Sequence, residues 1–143
     1  MALQPCSSME LRTLPSLDRV IVGLELLLSV GALFGGAVLV AGPDGHLLGM
    51  PQSLLASSPF TSFLIPGLLL FVALGLLPLV ASVLTMFRSR AAPFVTFAAG
   101  AAVVGWITVE MVMLAGFGSL AWAAYLVLGT SIAALGVAAV RNR

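Results

Sequence analysis

Four apolar runs dominate the chain, at residues 20–41, 65–87, 94–115 and 120–140. A helix needs about 20 residues to cross a hydrocarbon core of about 30 Å, and each run has that length. Unpaired backbone is too costly in lipid for open strands, so runs this long and continuous are expected to be helices. The composition agrees: 61% of the 143 residues are hydrophobic and 8% are charged, where a soluble domain carries about 25% charge. The expected fold is an all-α integral membrane four-helix bundle over residues 20–143, with a tail over 1–19.

The basic residues set a direction for this bundle. All are arginines, and they come as three pairs: Arg12 and Arg19, Arg88 and Arg90, Arg141 and Arg143. The connections 42–64 and 116–119 contain none. With four crossings every pair falls on one side, which the positive-inside rule assigns to the cytoplasm together with both termini. Three separated pairs form no basic patch, so no nucleic-acid partner is expected. The first run is longer than the 7–15 residues or so of a signal-peptide core, and no small-x-small cleavage site follows it at once, so it is read as a span. In the tail, Pro15 and Ser16 of "LPSLDR" offer a helix start. Either a short amphipathic surface helix or an unstructured tail fits there.

Small residues and prolines bear on packing. "GALFGG" aligns Gly31 with Gly35, and Ala32 with Gly36, at the four-residue spacing that lets another helix approach closely. Pro66 and Pro78 each remove a backbone donor from the second span, which is therefore expected to bend. The connection 42–64 has apolar content of its own. "GPDG" reads as a turn, "MPQSLLASS" as a short helix with Pro51 near its start, and "SSPF" as the next helix start, with Ser58 as N-cap. Residues 42–59 should form a short capping loop and helix over the outer end.

Inside the third run, "GWITVEMVML" carries a carboxylate far along the sequence from any other charge. Counted from Phe94 at 1.5 Å per residue, Glu110 lies about 24 Å along the helix, in the outer half. An ionised acid near the centre of a membrane helix costs at least about 2.5–3.5 kcal/mol and therefore usually faces a cavity or a polar partner. Trp106 sits one turn before it on the same face, and Ser82, Thr85, Tyr125, Thr130 and Ser131 are candidate cross-helix partners. Glu25 in the first run is expected to reach the inner interface or pair with Arg19, Arg88 or Arg90, as a structural residue. Asp44 and His46 are the titratable groups of the outer loop, above the expected depth of Glu110.

Other chemistry is poorly supported. The single Cys, Cys6, excludes an intrachain disulfide and a CxxC pair. Asp44, His46 and Glu110 fall short of a convincing metal set, and no HExxH, phosphate loop or Ser-His-acid pattern appears. No cofactor, metal or enzyme activity is expected.

The strings "GALFGG", "PDGHLLGMP", "SPFTSFLIPG" and "GWITVEMVML" together resemble a family of small four-helix bacterial integral membrane proteins. The resemblance covers most of 31–114 and implies a four-helix architecture in a bacterial inner membrane. It brings no activity with it. It does gather the distinctive residues on the outer loop and Glu110.

The functional expectation is a non-enzymatic accessory or scaffold subunit, meeting membrane lipid and either a membrane-protein partner or further copies of itself. Two alternatives stand beside it: a small proton- or cation-coupled transporter using Glu110, and a protein that binds a lipid or small ligand under the outer loop.

Overall fold

The computed structural model describes residues 14–113 and 119–143. Cys6, Glu10 and Arg12 lie outside the described residues. Four helices are present: α1 (Ser16–Ala41), α2 (Leu64–Met86), α3 (Ala92–Met113) and α4 (Ser119–Asn142). Each is long and apolar enough to cross a membrane, and together they make the expected all-α four-helix bundle.

Pro15 starts α1, as its sequence suggests. The amide of Arg19 donates to the Pro15 carbonyl at 3.1 Å, closing the first turn. The helix then runs without a break into the apolar stretch, so residues 16–19 are its polar first turn and not a separate surface helix.

The bend expected of α2 takes a specific form. Residues 70–76 form a π-helical stretch inside the helix, directly before Pro78. A proline cannot donate to the preceding turn, and its ring crowds the carbonyl four residues back, so widening that turn relieves both problems. The Oγ of Ser29 on α1 donates to the carbonyl of Gly75 at 2.8 Å in the buried interior. Pro66 lies within the first turn, where its missing amide costs little.

Close packing follows one of the two pairs in "GALFGG", the buried Ala32 and Gly36. A Cβ on Gly36 would come within 2.8 Å of the Gly67 carbonyl on α2, so only glycine permits this approach. Gly31, by contrast, is exposed, with its nearest neighbour the Tyr125 hydroxyl, 3.9 Å from where a Cβ would stand. Gly35 meets only the Leu70 side chain. The other tight seam joins α3 and α4, where Gly100 lies against the backbone of Gly129 and Ala133.

The arginine end is clasped. Arg143 donates to the Ser89 carbonyl at 2.8 Å and pairs with Asp18 at 3.3 Å. This draws together the start of α1, the α2–α3 turn and the end of α4, with Arg19, Arg88, Arg90 and Arg141 at the same end. The opposite, loop end is capped as expected. The "GPDG" turn passes through Gly45 at φ 81, and single turns of 3₁₀ helix follow at His46–Leu48 and Gln52–Leu55. Leu55 and Phe63 pack with Leu39 of α1, backed by Met50 and Phe60. Ser58 does not begin a helix. Its Oγ donates to the Leu55 carbonyl and accepts from the Phe60 amide, making a turn, and α2 starts only at Leu64.

Candidate functional site

Glu110 stands one turn from the loop end of α3. The indole Nε1 of Trp106, one turn earlier on the same face, donates to Glu110 Oε1 at 2.7 Å. One partner of the carboxyl is thus on its own helix. Two of the hydroxyls that could have tied it across the bundle are committed elsewhere: Ser82 donates to Leu79 and Ser131 to Val127.

A cavity of about 260 Å³ opens beside this pair. Gly31, Ala32 and Gly35 line it from α1, Leu70 and Leu74 from α2, and Trp122 and Tyr125 from α4, with Met50 of the loop above. The space exists because of residue size. Gly31, beside the Tyr125 hydroxyl of α4, and Gly35, beside Leu70 of α2, contribute no side chain to that wall. A smaller lobe of about 60 Å³ continues under the loop, reached by Ser58, Phe60 and Phe63, and it shares Trp106 and Glu110 with the first. Trp122 is a second indole neighbour of the same carboxyl.

Asp44 and His46 are not part of this arrangement. Both are exposed, and the Asp44 carboxylate bonds the His46 ring and accepts from the His46 amide. The bond with His46 is the largest influence on Asp44 and holds its carboxyl below the ordinary value. The loop residues that share a cavity lining with Glu110 include Met50, Ser58 and Phe60, which the sequence marks only as packing or capping. Among the described residues no group of His, Cys, Asp and Glu is placed to hold a metal ion.

Glu25 departs from expectation. It is 0% exposed, and neither carboxyl oxygen has a hydrogen-bond partner among the described residues. It reaches neither the interface nor Arg19, Arg88 or Arg90. Thr96 of α3 is its polar neighbour, and the Thr96 hydroxyl is likewise buried and unpaired. Between this inner polar group and Glu110 lies an apolar layer of Leu28, Leu74, Val103, Ile107 and Ile132. The two acids within the apolar helices therefore belong to separate environments.

The arrangement at the loop end is a half-enclosed apolar chamber with one acid and three aromatic side chains on its walls and a hydrophobic roof. Such a chamber can hold a small molecule by burial while the acid orients its polar end. Comparison of the chain with protein-family models, curated proteins and solved structures found no match.

Proposed function

We propose that the protein is a small multi-pass protein of a bacterial inner membrane, with its arginine end in the cytoplasm, that binds a lipid or small ligand beneath the outer loop. The observation that carries this reading is the cavity of about 260 Å³ bordered by Glu110, Trp106, Trp122 and Tyr125. Intramembrane acids are expensive, and they are kept where they face a cavity and a partner. The orientation follows from the five described arginines, all at one end, and from the positive-inside rule.

The rival readings draw less support. Transport of protons between the faces needs a polar route, and the layer of Leu28, Leu74, Val103 and Ile107 lies between Glu25 and Glu110. An accessory subunit needs a surface that lipid does not explain, and many exposed side chains of the described helices are apolar ones that lipid would cover, such as Phe34, Val112 and Val127.

Native mass spectrometry of the protein carried from its host membrane in nanodiscs tests the proposal. A small-molecule adduct on the wild type that is lost in Gly31→Phe, which crowds the cavity from α1, is the expected result. A stoichiometric second polypeptide without any small adduct would instead favour the accessory-subunit reading.

A further inference from the structure

We propose that the ligand carries a positive charge, and that the cavity is a site for a hydrophobic cation of the quaternary or alkyl-ammonium class. This rests on the ligand-binding reading above and specifies its chemistry.

The first argument is charge balance. Every arginine of the chain except the undescribed Arg12 lies at the end opposite Glu110, and the connections nearest Glu110 contain no Lys or Arg. The one imidazole, His46, is engaged by Asp44 and lines neither lobe of the cavity. Among the described residues the protein thus sets a carboxyl at the wall of an apolar chamber and supplies no cation to face it. An ionised acid there is costly until a positive charge arrives.

The second argument is the company of that acid. Trp106, Trp122 and Tyr125 all border the same space, and the chain has only two Trp and one Tyr. Aromatic faces attract cations through their quadrupole, most strongly Trp and most of all where water is excluded, and quaternary ammonium groups are recognised in cages of this kind. The indole N–H of Trp106 holds one carboxyl oxygen, which fixes the acid's orientation while the half-buried group remains at the cavity wall. An anion would meet a carboxylate and negative ring faces, and a neutral guest would leave the carboxyl without a counter-charge.

The third argument is access. Gly31 and Tyr125 are both exposed and lie at the α1–α4 side of the cavity, so the chamber opens sideways between these helices. A hydrophobic cation concentrates at the membrane surface, where such an opening can receive it.

Both tryptophans border the cavity, so intrinsic emission reports its occupancy directly. Full-length protein in nanodiscs is titrated with benzyltrimethylammonium, with neopentylbenzene as the neutral isostere in which carbon replaces nitrogen, and with benzenesulfonate as an anion. The cation is expected to shift Trp emission saturably, and the neutral isostere to bind about tenfold more weakly. Glu110→Gln should remove that preference while leaving the neutral isostere unaffected. Tyr125→Leu, which leaves the acid and both indoles in place, should weaken the cation several-fold and the isostere less. It keeps the test decisive should Glu110→Gln fail to fold. Equal binding of cation and isostere, unchanged in either variant, would overturn the cationic assignment and leave the cavity reading standing, as would preference for benzenesulfonate. If none of the three probes perturbs the emission, both the assignment and the ligand-binding reading fall.

Discussion

Ser29 Oγ donates to the carbonyl of Gly75 at 2.8 Å, from the middle of α1 into the π-helical stretch of α2. The stretch directly precedes Pro78, so this hydroxyl helps satisfy backbone that a regular α-helix would satisfy by itself. Polar residues of one membrane helix commonly compensate a proline in another in this way.

Ser29→Ala is therefore expected to destabilise the fold by about 1 kcal/mol, within the range measured for interhelical hydrogen bonds in membranes. In a Pro78→Ala background, where the regular ladder can re-form, the same substitution should cost clearly less. A double-mutant cycle followed by denaturant unfolding in mixed micelles measures the difference, and equal costs in both backgrounds would dismiss the link between the hydroxyl and the proline.

Two glycines in the bundle should respond oppositely to alanine. A Cβ on Gly100 would lie 2.4 Å from the Ala133 amide nitrogen, so Gly100→Ala must push α3 from α4; a loss of about 1–3 kcal/mol is expected. Gly23 has nothing within 4 Å of such an atom, and Gly23→Ala should gain up to about 1 kcal/mol from helix propensity. Thermal midpoints of the two variants in one detergent, moving in opposite directions, provide the check.

At Glu25 the expectation runs against the usual cost of altering a buried residue. Its two oxygens are buried and unpaired, so Glu25→Met, of similar volume, removes an unsatisfied group and should melt no lower than the wild type. Glu25→Ala should lose stability through the cavity it leaves, by about 2 kcal/mol or more. Methionine proving as damaging as alanine would mean that the carboxyl makes a stabilising interaction in the membrane.

The loop pair supplies a pH dependence of known sign. His46 holds the Asp44 carboxyl below its ordinary 3.8. A depressed folded-state value contributes stability that is present above the unfolded value and fades as pH falls through the folded one. Both side chains are exposed, so the effect on global stability should be slight and weakened by salt. Carboxyl titration by NMR should show Asp44 titrating below its ordinary value and moving up in His46→Ala, which removes the largest lowering influence.

Much of the bundle could be read from residue patterns because its determinants are local. Run length located the four spans to within a few residues, and the paired arginines predicted which ends lie together. The shared face of Trp106 and Glu110 was visible for the same reason, since a four-residue spacing fixes it. The bond between them was not, because the carboxyl's partner was sought across the bundle. What else escaped needed the rotation of one helix about its axis relative to another. That rotation turns Glu25 into the core instead of toward an arginine. It brings Gly36, and not Gly31, against α2, and it sets Gly100 opposite Gly129, two glycines with no pattern to connect them. Ser58 was misread because a serine before a proline makes a turn as readily as a helix cap, and the Leu55 carbonyl within its reach decides for the turn. The loop residues over Glu110 were missed since Met50 and Phe60 carry no chemical signal apart from the cavity they roof.

The clasp of Asp18, Ser89 and Arg143 joins distant parts of the chain. Its members come from the first helix, the central hairpin turn and the segment beyond the fourth helix, so no chain with fewer helices inserted can complete it. A copy whose last helix had threaded in the opposite sense would leave Arg143 across the bilayer from Asp18, about 30 Å away. Closure of the clasp thus ties the senses of the first and last helices to one another through contacts made outside both helix interiors.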